Sequence, residues 1–322
     1  MKSPFTDKEM KLEYEKRTWR FRGEEYDYIH TSWLCEDTGE RFTTDDTDTA
    51  GFIQVTNQYR TKYGIPFTDE IVAVRKKYNI SASKMSLILG FGANQWRHYE
   101  AGEVPSVSNG RMIRSIMNPD VFIDMVHSSR HILLPKDYEK IIRQSDVSPL
   151  HPEYQPTIFV CERGIYNGYG VLSTDRVKNV LLYVLMKCGD VFYTKMNKLL
   201  FYADFVAYRQ LGISITGLSY KAIEFGPVPE RWDRIYSSFE EISIEPRIIG
   251  DREGTILTTS VKPDTSLFTE SELHILDEIC SSLACYTSTE LSELSHQEPA
   301  WIDNHHSSSR ISYEYAYALK VL

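Results

Sequence analysis

Residues 84–105 constrain the fold of this chain most, because their small and aromatic side chains recur at intervals that few backbone arrangements satisfy. Ser86 has little bulk, and Gly90, four residues later, can adopt a left-handed backbone conformation without strain. Trp96 and Tyr99 are three residues apart, so in a helix they lie on one face. Two short helices that cross steeply, with both aromatic rings in a shared core, meet these requirements. Four polar side chains of the second helix then face outward: Asn94, Gln95, Arg97 and His98.

Positive charge is concentrated around this segment, although the chain as a whole is acidic. The formal net charge is -9, whereas residues 71–117 carry seven Lys and Arg residues against two Glu residues, a net charge of +5. A compact basic unit on an acidic chain is an expected signature of duplex DNA binding, because phosphate neutralisation supplies much of the affinity. Charge alone fits a solvated pair of basic helices equally well. The acidic remainder suits a protein partner or solubility.

Residues 84–105 resemble the helix-turn-helix domains of the Cro/repressor (XRE) family, in which an aromatic-Glu-x-Gly sequence followed by Pro ends the recognition helix. Tyr99, Glu100, Gly102 and Pro105 match this ending without a gap. The stretch ILGFGANQWRHYEAGEVPS, the preceding EIVAVRKKYNIS and an upstream hairpin resemble more closely the repressor domain of MqsA-type antitoxins. This resemblance implies that the groove-reading positions are held by Ala93, Asn94, Gln95, Arg97 and His98.

The implied activity is binding of operator DNA. Arg97 can hydrogen-bond guanine, and Asn94 or Gln95 can hydrogen-bond adenine, each contributing about 1–3 kcal/mol of discrimination. We expect a further DNA contact from Lys84, and a homodimer, because such repressors read palindromic sites. A packed helical domain that does not bind DNA is the alternative.

The N-terminal residues predict a hairpin that has lost a metal site. Residues 1–25 have helical spacing, residues 26–48 have the pattern of a β-hairpin, and a further helix is expected over residues 50–63. MqsA-type antitoxins carry a zinc site of two Cys pairs here, but this hairpin retains only Cys35. One thiolate cannot form a tetrahedral zinc site, so we expect a hairpin without metal and a protein without cofactors.

Composition divides the chain into four regions and predicts a mostly α fold with small β elements (α+β). Residues 1–65 contain the hairpin and a helix, and residues 66–145 form an all-α helix-turn-helix domain of six short helices. Residues 146–172, rich in Pro, Gly and Tyr, predict a linker, and residues 173–322 predict a helical domain with a short sheet. Its clearest helix spans residues 195–210, with Thr194 as N-cap and Gly212 after its end. Capping boxes at Thr269 and Thr287 begin two more helices, and residues 243–260 predict a hairpin.

Residues 195–236 resemble the Panacea (SocA-like) domain. Its hallmarks are a helix containing Lys198, Tyr202 and Asp204, a strand with Ile215, Thr216, Gly217, Tyr220 and Ala222, and the sequence Gly226-Pro227-Val228. A later H-x-E-x-x-W ending is matched by His296, Glu298 and Trp301.

The Panacea resemblance implies an antitoxin domain that neutralises a small toxin protein by direct binding. SocA-type members instead deliver a toxin to a protease. The candidate toxin contacts are Lys198, Tyr202, Tyr220, Pro227 and Trp232. Aromatic residues make up 12% of the chain and anchor protein interfaces, although ordinary core packing is the favoured explanation for any one of the three aromatic candidates.

The chain shows no sequence motif for catalysis, membrane insertion or metal binding. It contains neither a nucleophile elbow nor a phosphate-binding loop, and His127 and His131 have no third ligand nearby. We interpret Cys280 and Cys285 as core thiols. The five scattered cysteines, the polar first twenty residues and the lack of a long apolar segment predict a cytoplasmic protein that does not enter a membrane.

We therefore expect the antitoxin of a type II toxin–antitoxin system, which neutralises its toxin through the C-terminal domain and represses its own operon through the helix-turn-helix. The alternative is a proteolytic adaptor that delivers a toxin or another target to a protease. A third interpretation is an enzyme that acts on a nucleotide or on the product of a toxin, which turnover by the purified protein would support.

Overall fold

The computed structural model describes residues 1–146, 162–249 and 252–322, which form two compact units. The first unit combines residues 1–55 with the described residues from 162 onward, and the second contains residues 56–146. Residues 147–161 of the predicted linker lie outside the described residues. The predicted fold class, mostly α with small β elements, is confirmed.

The first unit begins with a three-stranded antiparallel sheet, so the helical prediction for residues 1–25 is wrong. The strands are β1 (Lys11–Phe21), β2 (Glu24–Leu34) and β3 (Arg41–Phe42), in the order β1-β2-β3. Arg22 and Gly23, with φ of 50° and 89°, form the two-residue turn between β1 and β2. Lys16 of β1 forms a 2.8 Å ion pair with Asp27 of β2, across the strand pairing. The spacing of residues within a segment does not show which strand that segment pairs with.

The pairing of β2 with β3 confirms the predicted hairpin. Helix α1 (Asp45–Tyr63) follows it and is ended by Gly64.

The second unit contains the six short helices that the sequence predicts. They are α2 (Thr68–Lys77), α3 (Ala82–Ile88), α4 (Gln95–Glu100), α5 (Val107–Ser115), α6 (Pro119–Ser128) and α7 (Pro135–Asp146). Ser81, Ser106 and Asn118 each cap a helix through a side-chain oxygen. The helices enclose one core, in which seven side chains are completely buried: Ile71, Met85, Trp96, Ile113, Ile116, Phe122 and Val126.

The C-terminal part of the first unit is built around one buried helix. Its elements are α8 (Thr174–Cys188), β4 (Val191–Phe192), α9 (Tyr193–Leu211), β5 (Tyr220–Ile223), β6 (Gly226–Pro229), α10 (Trp232–Ile235), β7 (Ser243–Ile249), β8 (Arg252–Thr258), α11 (Glu270–Leu283), α12 (Ser288–Ser295) and α13 (Pro299–Ile302). One sheet has the order β4-β8-β7, and β5 pairs with β6. Every residue of α9 from Met196 to Tyr208 is buried, so this helix is covered on all sides.

Most local predictions for this part are confirmed. Thr269 and Thr287 form capping boxes with Glu272 and Glu290, β7 and β8 form the predicted hairpin, and Gly212 follows α9 with φ of 72°. The predicted N-cap Thr194 is wrong. Strand β4 leads directly into α9, so the N-cap position falls on Phe192 and no side chain accepts a hydrogen bond there.

Candidate functional site

Helices α3 and α4 of the second unit have the burial pattern that the spacing of residues 84–105 predicts. Trp96 is completely buried and Tyr99 nearly so, whereas Arg97 and His98 are exposed on the opposite side of α4. Asn94 is exposed as well, and Gln95 is half-buried. The turn between the helices includes Gly90, whose φ of 68° is the expected left-handed conformation. DNA contact by these residues stays a prediction.

Ser86 contributes a hydrogen bond as well as its small size. Its hydroxyl oxygen is buried and accepts a hydrogen bond from the backbone N–H of Trp96 at 3.0 Å. The first N–H groups of a helix lack intrahelical partners, so this bond satisfies one of them at the start of α4. A serine on α3 thus caps the neighbouring helix, a contact between residues ten positions apart that spacing alone does not reveal.

Glu100, from the aromatic-Glu-x-Gly sequence, connects α4 to α2. Its carboxylate accepts a hydrogen bond from Nε1 of Trp96 at 2.9 Å and pairs with Nε of Arg75 at 2.5 Å. Arg75 also donates to the carbonyl of Ile80 at the end of the α2–α3 connection. The acidic residue of this motif therefore has a structural role, because it holds Trp96 and joins α4 to α2.

Four of the five predicted DNA-contacting side chains already contact neighbouring residues. Glu103 accepts a hydrogen bond from Nε2 of Gln95 at 2.9 Å and lies 3.4 Å from Nδ1 of His98. Arg97 reaches the hydroxyl of Ser83 at 3.4 Å. The Lys84 ammonium forms a 2.5 Å ion pair with Asp137 of α7. The structure brings Gln95, Arg97 and His98 together on α4, whereas Lys84 is directed to another helix.

In the C-terminal part of the first unit, the Panacea hallmark residues form buried hydrogen bonds. The carboxylate of Asp204 accepts from the backbone N–H of Thr216 at 2.8 Å, from the Thr216 hydroxyl, and from the Tyr220 hydroxyl at 2.7 Å. Burial raises the pKa of Asp204 to about 6. These bonds join α9 to the loop before β5 and to β5 itself.

Lys198 is completely buried on α9, and its ammonium donates to the carbonyl of Pro227 at 3.0 Å. Burial lowers the pKa of Lys198 to about 7. Gly226 lies so close that a Cβ atom there would be 2.7 Å from Nζ of Lys198 and 2.5 Å from Oγ of Ser295. The Gly-Pro-Val hallmark therefore provides both a carbonyl acceptor and the space for the lysine.

Glu298 and Trp301, from the H-x-E-x-x-W ending, make the third set of bonds. Glu298 is completely buried, and its carboxylate accepts from the Tyr202 hydroxyl at 3.2 Å and from the backbone N–H of Lys320 at 2.9 Å. Burial raises the pKa of Glu298. Nε1 of Trp301 donates to the carbonyl of Ile223 at 2.7 Å. The hallmark residues thus account for the internal framework of the domain.

The predicted toxin contacts lie mostly inside this framework. Lys198, Tyr202 and Tyr220 are completely buried, and Pro227 is buried in β6. Trp232 is half-buried, with its ring edge-on to Tyr193 at a centroid distance of 6.3 Å. A toxin contact by these side chains stays a prediction. The exposed residues next to the hallmarks, which sequence reasoning missed, are better placed for a partner.

Hydroxyl groups surround Cys35, the cysteine of the N-terminal hairpin. The Ser3 hydroxyl donates to its sulfur at 3.1 Å, and the Thr6 hydroxyl lies 3.8 Å away. Hydrogen bonds from Ser3 and Thr38 lower the pKa of Cys35 to about 7. In residues 1–146, 162–249 and 252–322, no three His, Cys, Asp or Glu side chains are grouped closely enough to hold a metal ion.

The remaining candidates have ordinary surroundings. Nδ1 of His127 lies 2.7 Å from the Tyr138 hydroxyl. Cys280 is buried as predicted, but the prediction for Cys285 is wrong, because this residue follows the end of α11 and is exposed. None of the helices within the described ranges is long and apolar enough to span a bilayer.

Comparison with known proteins identifies the C-terminal framework. The family model described as "Antitoxin SocA-like, Panacea domain" matches residues 196–302, which run from α9 to the end of α13. No curated protein and no solved structure matches the chain. The matched range contains the Asp204, Lys198 and Glu298 hydrogen bonds. Residues 196–302 are therefore a Panacea domain of the SocA-like antitoxin family.

Proposed function

We propose that this protein is the antitoxin of a type II toxin–antitoxin system, which binds and neutralises a cognate toxin protein through its Panacea domain. The match of residues 196–302 to the SocA-like antitoxin family carries this proposal. The protein acts in the cytoplasm by binding rather than by catalysis and uses no cofactor. The buried framework around α9 supports this role, because a rigid scaffold keeps the entropy cost of binding low.

The second unit binds operator DNA as a homodimer and represses transcription of the operon. Its support is the pair α3 and α4, in which Trp96 and Tyr99 face the core while Arg97 and His98 are exposed. The net charge of +5 over residues 71–117 supplies the attraction to phosphate. Recognition by a two-fold symmetric dimer requires half-sites about one helical turn apart, roughly 34–36 Å.

Co-expression tests the antitoxin role. The open reading frame adjacent to this gene is expressed from an inducible promoter, alone and together with this protein. We expect growth arrest from the adjacent product alone and normal growth when both are present. Arrest in both cases, or no arrest in either, would contradict the proposal. Repeating the experiment in a protease-deficient host identifies an adaptor, because an adaptor stops protecting there and a direct neutraliser does not.

Duplex binding tests the repressor role. Fluorescence anisotropy with a labelled duplex from the region upstream of the gene gives the affinity at 50 and 200 mM salt. We expect affinity to fall at least tenfold over this range, and to fall again in the Arg97→Ala/His98→Ala variant. Arg143→Ala, an exposed change on α7, is the control and leaves affinity unchanged. An affinity that depends neither on salt nor on the α4 variant would contradict DNA binding.

A further inference from the structure

The turn between β5 and β6 presents an aromatic side chain on a rigid support. Phe225 lies in this turn and is 61% exposed. The Ser292 hydroxyl of α12 donates to the carbonyl of Phe225 at 3.0 Å, and Nε1 of Trp301 donates to the carbonyl of Ile223 at 2.7 Å. Two side-chain bonds from other elements therefore hold the backbone on both sides of Glu224.

Stacked rings extend from this turn. His296 stacks on Trp301 with centroids 4.1 Å apart, Trp301 stacks on His305 at 4.1 Å, and His305 contacts His306 at 3.8 Å. We call Phe225, together with the rings that reach its turn through the Trp301–Ile223 hydrogen bond, the Phe225 face; it comprises Phe225, Trp301, His305 and His306.

Negative charge accompanies the Phe225 face. Glu224 and Glu293 are exposed carboxylates beside it. Glu224 directly precedes Phe225 in the turn, and the Glu293 carboxylate partly offsets the lowering of the His296 pKa by burial. Within the described ranges neither carboxylate forms an ion pair, whereas the nearby Lys221 and Arg310 are both paired with Glu230. Over residues 196–302 there are 17 Asp and Glu residues against 8 Lys and Arg residues, a net charge of -9.

We propose that the Phe225 face is the docking surface for the toxin, and that its occupant is a basic segment in which Lys or Arg residues flank a large apolar side chain. This proposal rests on the antitoxin role proposed above. An aromatic residue in a fixed turn loses little conformational entropy on binding, which is typical of interface hot spots. The exposed rings can stack with guanidinium groups of the partner, and the carboxylates steer a cationic partner toward the face.

The exposed residues of β7 offer an apolar surface without these features. Ile248 is 73% exposed on the edge strand of its sheet, also within residues 196–302. Pro246 in the middle of β7 has no N–H group, which makes the strand a poor template for a further strand. The neighbouring Arg247 is a cation, paired with Asp190 at 3.5 Å. Ile248 therefore provides the matched control for Phe225.

The test uses the full-length protein and the product of the adjacent open reading frame, with growth protection and the affinity of the purified pair as readouts. Phe225→Asp is expected to weaken binding at least tenfold and to abolish protection, while Ile248→Asp stays within twofold of the wild type. If Phe225→Asp fails to fold, the milder change Phe225→Ala is used instead, and it is expected to weaken binding and protection as well. Thermal unfolding of each variant confirms its folding.

Charge reversal tests the chemistry of the occupant. Glu224→Lys combined with Glu293→Lys is expected to weaken binding and to reduce its salt dependence, whereas Glu240→Lys combined with Glu245→Lys, both exposed positions elsewhere in the same segment, leaves both unchanged. If the wild type protects and all Phe225 and Glu224 variants protect equally, the docking surface is overturned and the antitoxin role stands. If the wild type itself does not protect, both proposals fail.

Discussion

At the scale of single residues, the stability of the C-terminal part of the first unit depends on buried polar side chains. Each of them joins separate segments of the chain. Asp204 joins α9 to the loop before β5, Lys198 joins it to β6, and Glu298 joins α9 to the backbone at Lys320. A buried polar group is tolerated only where it is hydrogen-bonded, and removing one partner leaves the other unsatisfied. These residues are therefore sites where a small change has a large effect on stability.

Asp204 makes stability depend on pH in a defined direction. Its pKa in the folded protein is about 6, above the roughly 3.9 of an unfolded aspartate. Between these values the folded state binds the proton more tightly, so the contribution of Asp204 to the free energy of unfolding falls as pH rises toward 6. Asp204→Asn does not titrate. Its stability relative to the wild type should therefore increase by about 2–3 kcal/mol from pH 4 to pH 7.5, because each unit of pKa shift corresponds to about 1.4 kcal/mol.

Urea unfolding at both pH values measures this difference. The control is Asp233→Asn, since Asp233 is exposed at the start of α10, and its stability should follow the wild type at both values. A constant difference between Asp204→Asn and the wild type would contradict the raised pKa.

We predict that three substitutions around Cys35 create a zinc site. Ser3 and Thr6 are three positions apart, as are Cys35 and Thr38, which is the spacing of paired zinc ligands. The hydrogen bonds to Cys35 already bring these side chains together. The variant Ser3→Cys/Thr6→Cys/Thr38→Cys should bind one Zn²⁺ ion, and a chelator should then lower its Tm while leaving that of the wild type unchanged.

Cobalt substitution gives a direct readout, because thiolate-bound Co²⁺ absorbs strongly in the near ultraviolet. The same variant with Cys35→Ser is the control and should show weaker absorption and lower affinity. Equal spectra for the two variants would show that Cys35 is not part of the site.

Sequence patterns identify the hallmark residues of the Panacea domain, but they do not show whether these residues are buried or contact a partner. The hallmark positions around Lys198, Tyr202 and Tyr220 were predicted as candidate contacts, and the structure places their side chains in the interior. A buried polar residue and an exposed binding residue look alike in one sequence, because their partners are distant along the chain. Phe225, which directly precedes the Gly226-Pro227-Val228 hallmark, was not predicted as a contact, and only the structure shows that it is exposed.

At the scale of elements, local signals were sufficient where a helix is defined by its own residues. The capping boxes at Thr269 and Thr287 were predicted from the sequence, and both helices begin directly after them. Strand β1 was missed because its stability comes from pairing with β2. The N-cap of α9 was misplaced because the preceding strand determines where the helix begins.

Removing the negative charge of Glu103 is predicted to strengthen duplex binding at the proposed DNA-binding helix. Its carboxylate holds Gln95 and His98 and adds negative charge where a phosphate backbone would approach. Glu103→Gln removes that charge and should tighten duplex binding by about three- to tenfold at low salt, with a smaller effect at high salt. Anisotropy titrations with the upstream duplex measure the change.

The matched control is Glu139→Gln, an exposed carboxylate on α7 of the same unit. It changes the net charge by the same amount and should alter affinity by less than twofold. Equal gains in the two variants would mean that overall charge, rather than the position of Glu103 next to Gln95 and His98, controls binding.

At the scale of the whole molecule, the N-terminal segment belongs to the unit that contains the Panacea domain. The ring of Tyr14 on β1 contacts that of Tyr317 with centroids 5.5 Å apart. A Cβ atom at Gly212, after α9, would lie 2.9 Å from Cγ2 of Ile53 and 3.0 Å from the carbonyl of Ala50. The composition of the chain predicts a domain boundary after residue 65. Composition does not show which distant segments of the chain are in contact.

Gly212 provides a test of this association. Gly212→Ala combines a positive φ of 72° with the close approach of Ile53, and should cost about 2–4 kcal/mol of unfolding free energy. Gly39→Ala has a similar φ of 73° and open space around it, so it should cost only about 1 kcal/mol. Urea unfolding of both variants measures the difference.

A double-mutant cycle identifies the contact itself. Ile53→Ala should recover part of the loss in the Gly212→Ala variant, with an interaction energy of about 0.5–2 kcal/mol. Additive effects of the two substitutions would contradict the packing of α1 against the end of α9.

The closeness of Gly226 to Lys198 has an evolutionary consequence. Because a Cβ atom at position 226 would occupy the space of the lysine ammonium, the two positions cannot vary independently. In homologous chains, replacement of this glycine by any larger residue should coincide with a shorter side chain in place of the lysine. Covariation between the two columns of a sequence alignment would record this coupling without any measurement on the purified protein.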